Sequence, residues 1–346
     1  MASPFSDHPA IAGDAQWLAH RYDAATDAVQ FRHVSRDQHR TATFLTDEYL
    51  GPAERVIAIP RTAAVASAPA PARLGFVFHS AFCCSTLLAR AFDIEGVAMG
   101  LKEPVILNDL TGWKRRGAQP AMLAQVLDNS LTLLARPFSP GEAVIVKPSN
   151  LVNPFIPAML TMRPEARALL LFAPLPVFLG SITRKGLWGR VWVRDLMVKF
   201  IADNLIDLGF AHEDYLKLTD IQAAAVGWLA QHALFARVAE RFGPARVATL
   251  DSETLLDQPH AAVAGLARLF GLDVDAAAVA TGPAFTSHSK GGRSFTRAER
   301  DAERREIEAP HRDELEKVAI WAKAVADNAG VKMALPHALT DPARKA

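Results

Sequence analysis

The sequence predicts an α/β fold with a central parallel sheet flanked by helices, and three observations carry that expectation. Short apolar runs of buried-strand type recur along the chain: Leu74-Gly75-Phe76-Val77-Phe78, Val144-Ile145-Val146, residues 168–172 and Arg246-Val247-Ala248-Thr249-Leu250. Helical stretches alternate with them, the signature of βαβ units and a parallel sheet. Half of the 346 residues are hydrophobic and 22% are charged, enough apolar material for a large core and too much for a disordered or collagen-like chain.

Taken in order, residues 10–24 carry helical periodicity around Ile11, Trp17, Leu18 and Tyr22. Val29, Phe31 and His33 then alternate with polar residues as a half-buried strand does, and Val56-Ile57-Ala58-Ile59 reads as another strand. Residues 62–72, rich in Ala, Pro and Ser, read as a linker. The first apolar run follows, then a polar turn, then a helix over 85–92. A long amphipathic helix around Trp228 and Phe235 precedes the last run. Residues 297–326 are densely charged and helical in pattern, broken by Pro310, and read as a solvated helix face laced with ion pairs. The expected organisation is an accessory segment and linker over 1–72, an α/β domain over 73–296, and a C-terminal helical segment over 297–346 packing on that domain.

Lys plus Arg total 38 and Asp plus Glu 37, so nothing in the overall charge drives binding to nucleic acid, and none is expected as a partner. The two cysteines, Cys83 and Cys84, are adjacent and build neither a disulfide framework nor a four-cysteine zinc site. The eleven histidines show no metal-ligand spacing, so no metal is expected. The longest apolar stretch, residues 168–182, is interrupted by Pro174 and Pro176, too short and broken for a membrane span of ~20 residues. Asp7, His8 and Pro9 stand where a secretory signal needs an apolar run. The expectation is a reduced, cytoplasmic protein.

In parallel sheets ligands sit at the carboxyl ends of the strands, so the loops there are where function is sought. After the first run comes His79-Ser80-Ala81-Phe82-Cys83-Cys84-Ser85-Thr86-Leu87-Leu88. A strand, a tight loop and then Ser-Thr opening an apolar helix is the layout of a phosphate-binding loop, because free N–H groups and the positive dipole end favour an anion there. The nucleoside-triphosphate pattern G-x-x-x-x-G-K-[ST] fails: its glycines and lysine fall on His79, Cys84 and Ser85.

The segment resembles the PAPS-dependent sulfotransferases of bacteria, whose donor is 3′-phosphoadenosine 5′-phosphosulfate and whose turn commonly reads Pro-Arg-Ser-Gly-Ser-Thr-Leu-Leu. The Ser85-Thr86-Leu87-Leu88 half matches. Further stretches follow in the family's order: Lys102-Glu103-Pro104, Val146-Lys147-Pro148-Ser149-Asn150, residues 168–181 ending on Ser181, residues 247–259, Ala267-Arg268-Leu269-Phe270-Gly271-Leu272, and Ser287-His288-Ser289-Lys290-Gly291-Gly292-Arg293. The resemblance covers about residues 74 to 295 and rests on joint order, no single motif being specific.

It implies a P-loop sulfotransferase-like three-layer fold, PAPS as donor, direct transfer without metal, and a small-molecule or peptide acceptor bearing a hydroxyl or amine. Glu103 would take the acceptor's proton, and Lys147 would stabilise the leaving phosphate. Phe82, Cys83, Cys84, Ser85 and Thr86 would form the donor's phosphate loop, with Ser181, Arg184, Lys290 and Arg293 at its 3′-phosphate.

The chain departs from the family at three places: Phe82 replaces the loop's Lys or Arg, Cys84 its glycine, and Ala173 the arginine ahead of the 3′-phosphate serine. Lys147, Arg184, Lys185, Arg190, Lys290 and Arg293 are the cations available to compensate. Two other readings stay open, a catalytically silent nucleotide-binding or scaffold protein of the same fold and a P-loop kinase-like phosphotransferase. His79 reads as a hydrogen-bonded strand-end histidine. Trp188 and Trp192 read as core or as lining of an acceptor pocket, and a homodimer is compatible with the sequence, residues 1–60 serving either as a cap or as its contact.

Overall fold

The computed structural model describes residues 8–211, 213–286 and 309–340. Among the described residues, eight strands form two sheets. Strands β1 (Trp17–Asp23), β2 (Ala28–His33) and β3 (Val56–Pro60) make an antiparallel sheet in that order. Strands β4 (Leu74–His79), β5 (Ala98–Lys102), β6 (Ala143–Lys147), β7 (Arg167–Phe172) and β8 (Val247–Asp251) make a parallel five-stranded sheet, order β5-β6-β4-β7-β8, with helices flanking it. The four apolar runs of the sequence are β4, β6, β7 and β8. Every residue of β4, β5 and β6 is buried, as expected of strands covered on both faces.

Two compact units divide the chain, each assembled from several segments. The first comprises Met1–Phe78, Thr86–Ala168 and Ala267–Asp275, the second His79–Ser85, Leu169–Leu266 and Ala276–Ala346.

In the first unit β5 and β4 each pair in parallel with β6. The helix Ser85–Ala91 crosses β5 so closely that a Cβ on Gly100 would lie 2.5 Å from the Ala89 carbonyl oxygen, which is why a glycine stands there. Helices Val105–Arg115 and Pro120–Leu134 pack on each other and on β1. In the second unit the 23-residue helix Asp220–Phe242 is the spine, packed by Leu175–Arg184, Gly186–Ala202 and Arg312–Ala329. It opens with a capping box, Thr219 accepting from the Gln222 amide while Gln222 returns the bond. No described helix is long and apolar enough to cross a membrane.

Two expectations are corrected. The helix over residues 10–24 is a short helix, His8–Gly13, followed by strand β1. Asp14 ends the helix: its carbonyl accepts from Trp17 N at 3.1 Å and its side chain from Gln16 N at 2.8 Å. Beyond that turn, antiparallel pairing with β2 satisfies the backbone that a helix would have satisfied within itself. The linker over residues 62–72 begins instead with a helix, Arg61–Ser67. Its alanines are strong helix formers, and its first turn is anchored by buried Arg61, whose guanidinium grips Asp27 at 2.7 and 2.9 Å and also bonds Asn129. Only residues 68–73 are irregular.

Candidate functional site

Strands β5 and β6 run parallel and in register, so Lys102 sits beside Lys147 at their carboxyl ends. One residue on, Glu103 donates its backbone N–H to the Lys147 carbonyl at 2.7 Å and turns the chain with φ +53°. That left-handed conformation costs a non-glycine residue on the order of 1 kcal/mol, and it carries the side chain back onto Lys147. The Lys147 ammonium donates to Glu103 Oε1 and lies 4.8 Å from the centre of the Phe44 ring. The lysine side chain is 1% exposed and the carboxylate 16%, so the acid is the member of the pair that solvent and a small molecule can reach.

Segment 42–50 covers this pair. Leu45 is tied to the strand ends at both backbone groups, its N–H donating to the Lys102 carbonyl at 2.7 Å and its carbonyl accepting from Val105 N at 3.3 Å. Phe44 stands edge-on to Tyr49 at 5.0 Å, and Tyr49 is 45% exposed. Burial, with the carboxylates of Glu48 and then Glu103, raises the Tyr49 phenol above its ordinary range. Lys102 points its buried ammonium the other way, donating to the carbonyls of His39 and Arg40. Burial pulls its pKa down to about 8, with the charges of Arg90 and Lys147 adding to the effect and Asp93 opposing it. A buried lysine closing an otherwise apolar strand signals a buried partner, and Lys102 could have been found that way. Phe44 and Tyr49 carry no such signal.

In the second unit the loop from His79 to Ser85 is a run of unusual backbone. Ala81, Phe82 and Cys84 have φ of +72°, +51° and +63°, three left-handed non-glycine residues within four positions. The loop is held from several points. Ser80 N–H donates to the Leu171 carbonyl at 3.1 Å, and Ser80 Oγ accepts from Ala173 N at 3.2 Å. His79 Nδ1 accepts from Ala81 N at 3.0 Å, the structural role its place at a strand end suggested. Cys83 is buried with its thiol against the Leu171 carbonyl, and neither cysteine is in a disulfide.

Phe82, where a cation was wanted, makes edge contacts with Phe178 at 6.0 Å and Trp192 at 5.3 Å. Trp192 in turn stacks on Trp188 at 6.2 Å. Trp188 is 59% exposed, which removes it from the core. Ser85 and Thr86 open the Ser85–Ala91 helix, both buried, and among the described residues neither hydroxyl has a hydrogen-bond partner. Such hydroxyls beside a left-handed loop suit an anionic ligand; the loop's own side chains bring no charge to it.

Ser181 Oγ donates to the Val177 carbonyl at 2.8 Å and accepts from Arg184 Nη2 at 2.8 Å, so these two residues of the expected 3′-phosphate set do meet. Arg190 is taken up by Glu314 at 3.2 Å and Asp220 at 3.8 Å, which removes it from the compensating cations. Lys290 and Arg293 lie outside the described residues. Among the described residues no cluster of three or more His, Cys, Asp or Glu side chains comes together as a metal site.

No protein-family model matches the chain. No curated protein matches it. Among solved structures, the chain is similar to the sulfotransferase domain from the Synechococcus PCC 7002 olefin synthase, with 13% identity and a TM-score of 0.40 over 65% of this chain and 82% of that one. It is likewise similar to the sulfotransferase domain from the curacin biosynthetic pathway, with 12% identity and a TM-score of 0.39 over 77% of this chain and 99% of that one.

Proposed function

We propose that this protein transfers a sulfuryl group from PAPS to a hydroxyl or amine of a small molecule or peptide. The observation that carries the reading is the Glu103–Lys147 pair: a partly exposed carboxylate held by a buried ammonium at the carboxyl ends of adjacent parallel strands, on a residue in left-handed conformation. Unusual backbone concentrates where function demands a fixed geometry, and the carboxyl edge of a parallel sheet is where ligands bind.

In this reading Glu103 accepts the proton of the acceptor's O–H or N–H. The acceptor atom forms its bond to sulfur as the bond from sulfur to the bridging oxygen breaks, and that oxygen leaves with the electron pair on adenosine 3′,5′-bisphosphate. Lys147, buried behind Glu103, supplies positive charge toward the leaving oxygen through space and not by contact, the kind of fixed electrostatic aid that is largest in a water-poor site. Its burial between Glu103 and Phe44 keeps it from reorienting toward bulk water. The hydroxyls of Ser85 and Thr86 hold the donor's 5′-phosphate, and Ser181 with Arg184 its 3′-phosphate. Exposed Tyr49 and half-buried Phe44 offer an aromatic wall to the acceptor.

The test is transfer of label from PAPS to a panel of phenols, alcohols and amines. Turnover that falls 10²-fold or more in Glu103→Gln, with the protein still folded, supports the assignment. Transfer indifferent to Glu103→Gln overturns it.

One observation favours a second reading, a silent nucleotide-binding or scaffold protein of the same fold. Phe82 is packed on Phe178 and Trp192, so the loop offers an aromatic ring where the related enzymes place a cation. On that reading Glu103→Ala and Lys147→Ala both leave the protein's biological activity intact. Loss of activity in either rejects it.

A further inference from the structure

A cavity opens at the amino end of β4 in the first unit. Its volume is about 620 Å³, within the roughly 300–1,000 Å³ of pockets that hold small ligands. Arg73 stands just ahead of β4, Arg163 and Arg167 flank the start of β7, and Arg268 projects from the helix Pro259–Phe270. Lys147 ends β6 and β4 runs parallel to it, so the length of a six-residue strand, about 20 Å, separates this cavity from the carboxyl end.

The floor is apolar and fixed. Leu74 and Phe270 are buried. Phe270 sits so tightly on β4 that a Cβ on Gly75 would come within 2.8 Å of its ring, and Phe92 meets it edge-on at 6.2 Å. The walls carry a surplus of positive charge, four arginines against the single carboxylate of Glu165. Arg163 is committed to Asp128 and to the Thr132 hydroxyl at 2.9 Å. Arg73 gives one N–H to the Gly271 carbonyl at 2.8 Å and Arg167 one to the Glu165 carbonyl at 3.2 Å. Among the described residues none of Arg73, Arg167 and Arg268 pairs with a carboxylate. Guanidinium groups present flat, paired N–H donors that match the oxygens of a carboxylate or phosphate.

We propose that this cavity is a second ligand site, taking a small amphipathic anion whose apolar body lies on Leu74 and Phe270 and whose carboxylate or phosphate is held by Arg167 and Arg268. The surplus of cations selects an anionic head, and the apolar floor selects against a bare inorganic ion. The site stands apart from the transfer chemistry and holds whether or not that chemistry is sulfuryl transfer.

The test is calorimetric titration of the full chain with decanoate and with decyl phosphate, beside decanol and inorganic phosphate. Saturable binding of either amphipathic anion is expected, at least tenfold tighter than decanol or inorganic phosphate, and the tighter of the two names the head group. Arg268→Gln and Arg167→Gln should each weaken it tenfold or more with the melting temperature unchanged, while Glu103→Gln leaves it as it was. Binding of neither anion, equal binding of decanol, or affinity unaffected by both arginine variants overturns the proposal.

Discussion

Glu103 is where local strain and chemistry coincide. A glutamate at φ +53° pays for a turn that glycine would make freely, and the return is a carboxylate fixed on Lys147. Glu103→Gln keeps the shape and removes the base, so transfer should fall 10²- to 10⁴-fold; it also leaves the buried Lys147 ammonium without its counter-charge, so the melting temperature should fall too. Lys147→Met removes the buried cation itself and leaves the carboxylate behind. It should abolish transfer and also destabilise the fold, by less than the ~3–5 kcal/mol of a fully buried pair, since Glu103 retains some contact with solvent. At Cys84, φ is +63°, a left-handed conformation that glycine adopts with no Cβ penalty. Cys84→Gly should therefore raise stability by about 0.5–1 kcal/mol, less than the left-handed cost because glycine also loosens the unfolded chain. Urea denaturation of both proteins reads that difference directly.

Among the elements, the buried strands were the legible part of the sequence. β4, β6, β7 and β8 each announce themselves as apolar runs because both faces of a parallel sheet are covered. β1 was hidden for the opposite reason. Leu18 and Tyr22 are four apart, a spacing that suits a helix and a strand alike, and only the long-range pairing with β2 decides between them. The helix Arg61–Ser67 was hidden because its anchor is distant: Arg61 is buried on Asp27 and Asn129, which no local pattern reveals. The anchor makes a prediction. Arg61→Ala should cost about 2 kcal/mol, below the full value for a buried pair because Asp27 stays 45% exposed. Loss of amide protection confined first to residues 61–67 in hydrogen exchange would locate the damage.

For the molecule as a whole, pH dependence follows from groups that the fold buries uncharged. His39 is driven down to about 3 by burial and by the nearby charges of Lys102, Arg136 and Arg36. His232, buried against Trp228 at 4.1 Å with Nε2 bonded to the Met333 carbonyl, is driven down to about 4 by burial. Between these values and the ordinary 6.5 the unfolded chain binds protons that the folded chain does not. Stability should therefore fall as pH drops below about 6.5, each histidine contributing up to about 1.4 kcal/mol per pH unit. Asp93, raised by burial, offsets part of this in the acid range. Lys102 acts at the other end: with its pKa lowered to about 8, stability should rise as pH climbs from 8 toward 10.5. The urea midpoint measured from pH 7.5 to 5 should slope downward, and His232→Phe should flatten that slope. A midpoint constant over this range contradicts the account.

The candidate site was legible only in part at this scale. Glu103 and Lys147 were singled out by the resemblance of their segments to a sulfotransferase family, and Ser85 and Thr86 by the strand–loop–helix order. Phe44 and Tyr49 come from segment 42–50, whose contact with the strand ends exists only once the chain has folded. Phe82 stood out as an aromatic residue where the resemblance implies a cation, and its packing on Phe178 and Trp192 depends on residues about a hundred positions away.

The most direct test of the central claim is calorimetric titration of the protein with adenosine 3′,5′-bisphosphate, beside ATP with Mg²⁺. The account predicts micromolar affinity for the bisphosphate, about −8 kcal/mol, weakened at least tenfold by Arg184→Gln, with no binding of ATP. No binding of the bisphosphate, or binding of ATP in its place, would contradict the account.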